Sequence, residues 1–115
     1  MSDCVFCAIV TGTEPAEIVQ RWSDGLAIVP LNPVTPGHVL IIPNRHVERA
    51  WLAPGGTVNM IAHALEYASA NASEYNLILN QGSAASQTIP HLHWHYVPRR
   101  PGDGLTLPWT GQVTP

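Results

Sequence analysis

Lysine is absent from this 115-residue sequence, and all five of its positively charged side chains are arginines. Charged residues make up 11% of the chain, the net charge is -3, and the arginines form no extended basic run. Proteins that bind polymeric nucleic acid usually present such a run or patch to the phosphates. The composition therefore argues against a nucleic acid polymer as a partner.

Long apolar segments are missing as well. No stretch approaches the ~20 apolar residues that span a bilayer, and the first residues do not form a cationic and then apolar leader. The sequence thus predicts a cytoplasmic protein without a membrane partner, folded as one domain over residues 1–115. Its only two cysteines, Cys4 and Cys7, are closely spaced, and in a reducing compartment this favours metal binding or redox chemistry over a structural disulfide.

Apolar patterning predicts an α+β fold. Strand-like runs, some bounded by turn signals such as Asp24-Gly25 and Pro36-Gly37, lie at 18–22, 26–29, 38–43, 75–80 and 91–97. One long helix is expected over 57–72, with Thr57 as its N-cap and a core-facing stripe of Val58, Ile61, Leu65 and Ala68. We therefore expect an antiparallel sheet of about five strands with one long helix, followed by an extended tail at 99–115.

Three histidines at two-residue spacing, His91, His93 and His95, alternate with large apolar side chains in the last predicted strand. Successive side chains of a strand point to opposite faces, so the imidazoles would line one polar face at intervals of roughly 6.6 Å. Imidazole titrates near neutral pH and can serve as nucleophile, metal ligand or phosphate clamp. The alternative is a strand with incidental surface histidines.

The segment from Gln87 to Arg99, which contains this run, closely resembles the signature of the histidine triad (HIT) superfamily of nucleotide hydrolases and transferases. Residues 36–43 look like the family's second strand, and residues 4–12 are similar to the opening of its zinc-carrying bacterial branch. The resemblance covers most of residues 4–101 in the right order. It implies a HIT-like fold acting on a small nucleotide substrate.

The resemblance also implies roles for individual residues. His93 would be the nucleophile, His95 and His38 would flank the phosphate oxygens, and Gln87 would lie near the leaving atom. Asn80 and Thr88 would bind phosphate oxygens. For these last two, the alternatives are an asparagine that merely ends a strand and a hydroxyl that satisfies loop backbone.

A second group, Cys4, Cys7, His46 and His91, is implied as the ligand set of a structural zinc ion. Two thiolates and two imidazoles suit the closed tetrahedral coordination of structural zinc. The metal would tie residues 1–10 to the catalytic strand. An ordinary pair of buried thiols is the alternative, and a redox role is disfavoured because no thioredoxin-like strand precedes the pair.

Two positions depart from the family pattern. Pro30 occupies the place of the usual ribose-binding Asp or Asn, for which nearby Asn32 could substitute, and Ser86 stands where glycine is usual. The sixth histidine, His63, lies outside any motif and is interpreted as a solvated surface residue.

The predicted activity is hydrolysis or transfer at the α-phosphate of nucleoside phosphoramidates or dinucleoside polyphosphates, through a nucleotidyl-histidine intermediate. The alternatives are a metallohydrolase with catalytic zinc on the histidine strand and a non-catalytic nucleotide-binding module. A homodimer is expected, paired through a helix face of Met60, Ala64 and Tyr67, with the tail around Trp109 reaching over the partner's site.

Overall fold

The computed structural model describes residues 3–71 and 74–109. Its regular elements, in chain order, are helix α1 (Val5–Thr11), strands β1 (Ile18–Trp22), β2 (Gly25–Ile28) and β3 (Val39–Pro43), helix α2 (Pro54–Asn71), and strands β4 (Tyr75–Leu79) and β5 (Trp94–Pro98). Short 3-10 turns occur at Ala50–Leu52 and Ser83–Ala85. Within the described part of the chain, no helix has the length and apolarity needed to cross a membrane.

The five strands form one antiparallel sheet in the order β1-β2-β3-β5-β4. The predicted α+β class and the five-stranded sheet are confirmed. Strand β5 lies between β3 and β4, so the segment that leads into it is flanked by the ends of two other strands.

Side-chain alternation gives the sheet two different faces. One face packs Ile41, Trp94 and Tyr96 against α2. The other packs Leu40 and Ile42 of β3, together with residues of β2, against Phe6 and Ile9 of α1. Helix α1 was not predicted; its signals are Cys4, whose sulfur accepts from the backbone N–H of Cys7 at 3.4 Å, and Gly12, a C-cap with φ of +88°.

The predicted core stripe of α2 is wrong at two of its four positions. Met60, Ala64 and Ala68 are buried, whereas Val58 is 63% exposed and Leu65 is 52% exposed. Close packing against the hairpin fixes which side of the helix faces the sheet. Met60 lies so near the backbone of Gly25 that a Cβ there would be 2.7 Å from the Met60 sulfur. Met60 and Ala64, predicted to face a partner chain, are therefore core residues.

The N-terminus of α2 also differs from the prediction. The helix begins at Pro54, three residues before Thr57, and the Thr57 hydroxyl donates to the carbonyl of Ala50 at 3.0 Å. Proline suits the first turn because its missing N–H would have no helical partner there. Thr57 thus ties the helix to the preceding 3-10 turn and is not an N-cap.

His63 is not the solvated residue that the sequence suggested. Its ring stacks on Trp22 with centroids 4.6 Å apart and planes 9° apart, and its Nε2 lies 2.8 Å from Oδ1 of Asp24. This contact ties α2 to the β1–β2 hairpin, on which Asp24 is a turn residue.

Strand β5 begins at Trp94, three residues later than predicted, so His91 and His93 precede it. The N–H of Leu92 donates to the carbonyl of Val47 at 2.6 Å, outside the regular strand ladder. Both histidines are buried under α1 and do not line an open polar surface.

Candidate active site and metal centre

His93 is held with one ring nitrogen hydrogen-bonded, while the other makes no hydrogen bond to the residues that the structure describes. It is 4% exposed, and its Nδ1–H donates to the carbonyl oxygen of His91 at 2.8 Å. A neutral imidazole carries one N–H, so this bond assigns the proton to Nδ1 and leaves the lone pair on Nε2. Burial lowers the pKa of His93, which keeps that lone pair unprotonated at neutral pH.

His38 and His95 form a second, oriented pair. The backbone N–H of Val34 donates to Nδ1 of His38 at 3.1 Å, so the proton of neutral His38 sits on Nε2 and points at Nδ1 of His95, 3.0 Å away. His95 must then carry its own proton on Nε2. Burial, followed by the neighbouring His93 and His38, lowers the pKa of His95 to about 4, and burial lowers the pKa of His38. The pair is therefore neutral, and its second N–H is carried by Nε2 of His95.

A tight turn aims His38 at His95. The N–H of His38 donates to the carbonyl of Thr35 at 3.1 Å across Pro36 and Gly37, and Gly37 has φ of +89°. Proline followed by a residue in the left-handed region is typical of a type II turn. Gly37 also lies against β5, because a Cβ there would be 3.1 Å from Cγ of Pro98.

Asn80 and Gln87 lie at the two ends of the loop between β4 and the histidines. Leu79, the last residue of β4, pairs with Trp94, the first residue of β5, so Asn80 and His93 adjoin the same end of this strand pair. The Gln87 amide holds the loop closed: its Oε1 accepts from the N–H of Gly82 at 2.8 Å, and its Nε2 donates to the carbonyl of Glu48 at 3.0 Å.

The other predicted site residues lie at the surface. Thr88 is exposed and lines an open depression of about 730 Å³ beside Cys7 and His46. Asn32 is exposed on the loop before His38 and makes no hydrogen bond to any described residue. Ser86 has φ of +69°, and no other described non-glycine residue has a positive φ, so this position keeps a glycine-like conformation with a side chain attached.

The second histidine cluster consists of Cys4, Cys7, His46 and His91. One potential ligand atom from each residue lies within 4.8 Å of the other three. The Cys4 sulfur is 3.3 Å from Nδ1 of His91, and the Cys7 sulfur is 3.4 Å from Nδ1 of His46 and 3.6 Å from Nδ1 of His91. Bond lengths of ~2.0–2.3 Å in a tetrahedral zinc site separate neighbouring ligand atoms by about 3.5 Å.

The protonation chemistry of this cluster also fits a cation. The Nε2–H of His91 donates to the carbonyl of Pro43 at 2.9 Å, which leaves the Nδ1 lone pair facing the two sulfurs. Burial, and then the neighbouring Cys4, raise the pKa of the Cys7 thiol. A metal ion would supply the positive charge that two adjacent thiolates need.

Comparisons with known proteins show which family the chain resembles. The family model described as HIT domain matches residues 11–102. The crystal structure of a Zn-bound histidine triad family protein from Mycobacterium smegmatis is 38% identical, with a TM-score of 0.77 over 91% of this chain and 81% of that one. Adenylylsulfatase HINT3 of Arabidopsis thaliana is 36% identical over 111 residues, 90% of this chain and 56% of that protein. Adenosine 5′-monophosphoramidase HNT1 of Candida albicans is 27% identical over 124 residues, 98% of this chain and 82% of that protein.

The chain therefore belongs to the HIT family. The predicted family is confirmed, and so is the enzyme class at the level of the family, because matched relatives are named for hydrolytic activities. Zinc as the cofactor is confirmed by the Zn-bound relative together with the Cys/His cluster.

Three structural partners of the site were missed by the sequence analysis. Phe6 packs edge-on against both His91 and His93, with ring centroids 5.5 and 5.2 Å apart. Thr35 and Arg100 contact each other beside His38. The apolar spacing of Phe6, Ile9 and Val10 is a usable signal for α1, whereas the Thr35–Arg100 contact spans 65 positions and leaves no local pattern.

Proposed function

We propose that this chain cleaves nucleotides at the α-phosphate through a nucleotidyl intermediate on His93. The observation that carries the proposal is the Nδ1 hydrogen bond of His93 to the His91 carbonyl, which leaves Nε2 as an unprotonated lone pair. An imidazole held in this way is a nucleophile at neutral pH. Its lowered pKa favours the reactive neutral form.

In the first step, Nε2 of His93 forms a bond to the α-phosphorus while the bond to the leaving group breaks. In the second, water attacks phosphorus, the bond to His93 breaks, and the mononucleotide is released. The Nε2–H of His95, oriented through His38, would stabilise the non-bridging oxygens as charge moves onto them. Gln87 would act beside the leaving atom, at the end of the loop that it closes.

The substrate class is a nucleoside phosphoramidate, a dinucleoside polyphosphate or a related nucleotide ester. Relatives named as an adenylylsulfatase and an adenosine 5′-monophosphoramidase support a range of leaving groups on one nucleotide. Asn80, which directly follows β4, would bind a phosphate oxygen, with Thr88 as a further phosphate contact. Asn32 would contact the ribose, because Pro30 has no acceptor side chain.

We assign zinc to Cys4, Cys7, His46 and His91 as a structural ion. When bound, it would contribute stability by joining α1 to the segment before β5. A catalytic zinc on the histidine strand is disfavoured, because His93 and His95 do not belong to any metal-capable group among the described residues. A non-catalytic module is disfavoured by the free Nε2 of His93.

A panel of adenosine and guanosine phosphoramidates, dinucleoside polyphosphates and adenylyl sulfate tests the activity by release of mononucleotide. Acid-labile labelling of the protein by a substrate radiolabelled at the α-phosphate, absent in His93→Asn, would support the covalent route. Turnover without any trapped adduct, and with His93→Asn active, would refute it.

A homodimer, in a cytoplasmic setting suited to free thiols, completes the proposal. The apolar face that α2 leaves exposed is Val58 and Leu65, with Trp51 and Leu52 beside it in the preceding turn. Apolar patches of this kind are typical of interfaces, and a two-fold axis would pair the patch with itself. Sedimentation equilibrium should give about 25 kDa, twice the chain mass of 12.5 kDa, and Leu65→Arg should give the monomer. A wild-type protein that sediments as a monomer would remove the dimer.

A further inference from the structure

Arg100, itself an exposed residue, makes a part-buried contact with the loop that carries His38. Its guanidinium donates to the hydroxyl oxygen of Thr35 at 2.6 Å, although Arg100 lies beyond the end of β5. Thr35 is 6% exposed. A charge-assisted hydrogen bond to a buried hydroxyl is stronger than a bond between neutral groups, so this contact restrains the loop.

Thr35 belongs to the turn that determines which nitrogen of His38 carries the proton. Its carbonyl accepts the N–H of His38, and the adjacent Val34 donates its own N–H to Nδ1 of the His38 ring. If Val34 moves, that ring loses the donor that keeps Nδ1 unprotonated. The Nε2–H that His38 directs at His95 depends on this donor.

Arg100 is itself held in place from the other side. Its backbone N–H donates to Oδ2 of Asp103, which also accepts from Nε of Arg99 at 2.8 Å. Arg99 in turn donates to the side-chain oxygen of Asn76 on β4. These bonds fix the start of the tail to the sheet, so the guanidinium of Arg100 reaches Thr35 from a restrained backbone.

The geometry points to Arg100 as a positioning residue that acts through Thr35 to keep His38 in its Nε2–H tautomer, and so to set the donor that His95 presents to the phosphate. The inference rests on the proposed function for its kinetic consequence, but the tautomer of His38 is measurable without substrate. Arg100 forms no hydrogen bond with His38 or His95.

Long-range 1H–15N correlation spectra of protein labelled at histidine report the tautomer of each ring. We expect wild-type His38 to be protonated on Nε2 alone, and both Arg100→Met and Thr35→Val to show protonation at Nδ1 as well. With an active nucleotide substrate, kcat should fall about tenfold in either variant, since small misplacements of a catalytic group can cost up to ~10²-fold. The double variant should be no slower than the singles, because both remove the same contact.

Two further variants test whether the effect of Arg100 comes from its contact with Thr35 or from its charge alone. Arg21→Met removes the same charge from an exposed position on β1, where the side chain makes no hydrogen bond or ion pair with described residues, and should leave the His38 spectrum and kcat unchanged. Arg100→Lys should recover part of both signals. A single Nε2–H tautomer of His38 in Arg100→Met and Thr35→Val would overturn the inference. Absence of wild-type turnover would refute the proposed function, and the spectra would still decide the role of Arg100.

Discussion

His91 and His93 are two positions apart, yet each donates to a backbone carbonyl from a different ring nitrogen. His91 donates from Nε2 to the carbonyl of Pro43 and turns Nδ1 toward the two cysteine sulfurs. His93 donates from Nδ1 to the carbonyl of His91 and keeps Nε2 free. Both are buried, and burial lowers the pKa of both. A backbone carbonyl therefore decides which ring nitrogen keeps its lone pair, and in the proposed function the same residue type would serve as metal ligand at His91 and as nucleophile at His93.

The largest expected effect comes from removing the free nitrogen of His93 while keeping its hydrogen bond. Asparagine places an amide N–H near the position of Nδ1 and has nothing at Nε2. His93→Asn should therefore fold normally and lower kcat by about three orders of magnitude or more. Steady-state kinetics with a nucleoside phosphoramidate measures this loss. His63→Asn, the same change far from the site, is the control, and an active His93→Asn would remove the nucleophile assignment.

The corresponding change at His91 is His91→Gln. Glutamine keeps an N–H near the position of Nε2, which can donate to the carbonyl of Pro43, and it removes Nδ1. We expect loss of zinc and of about 2 kcal/mol of unfolding free energy, lowering Tm by roughly 10 °C. Elemental analysis and calorimetry, with and without chelator, measure both quantities. The chelator should destabilise wild type and have no effect on His91→Gln or Cys4→Ser. A metal-free wild type with unchanged Tm would contradict structural zinc.

Acid should separate the buried histidines from ordinary ones. His95 has its pKa lowered from 6.5 to about 4, so between these values the unfolded chain binds a proton that the folded chain does not. The unfolding free energy should therefore fall as the pH drops from 6.5 to 4. Urea unfolding at a series of pH values across this range measures the unfolding free energy at each pH. Plotted against pH, it should fall less steeply for His95→Asn than for wild type, because any contribution from zinc is common to both proteins. Equal slopes would contradict the lowered pKa.

His63 supplies the smallest effect, as a histidine with neither chemical role. His63→Ala removes the stack on Trp22 and the contact with Asp24, and should lower the unfolding free energy by about 1 kcal/mol. The urea midpoint should shift while kcat stays within about twofold of wild type. Asn59→Ala, on an exposed position of the same helix, is the matched control.

Local sequence patterns predicted most of the helices and strands, but not where each begins or which side chains it buries. Pro36-Gly37 indicated a turn that the structure contains, with Gly37 at a φ of +89°, because the dihedral preferences of these residues are local. Asp24-Gly25 indicated the β1–β2 hairpin, but the turn residues are Ser23 and Asp24, and Gly25 begins β2. The histidine alternation could not show that β5 begins at Trp94, since extended chain keeps a period of two with or without ladder bonds. The apolar spacing in α2 did not show whether Val58 or Met60 is a core residue. That depends on the contact between Met60 and Gly25, which lies on a different element.

Residues of the candidate site divide in the same way. The residue types at His91 and His93 were readable from spacing and resemblance, and the structure adds which nitrogen each leaves free. The stack of His63 on Trp22 and the bond from Arg100 to Thr35 join positions 41 and 65 residues apart, so no sequence window contains either.

The turn glycine before His38 has a consequence for how this sequence can evolve. A side chain at Gly37 meets two separate obstacles, a φ of +89° and the ring of Pro98 at 3.1 Å. A smaller residue at 98 would relieve the second and leave the first, at a cost of about 1–2 kcal/mol. No single compensating substitution opens the position, so variation among descendants of this sequence should accumulate around Gly37 and leave it unchanged.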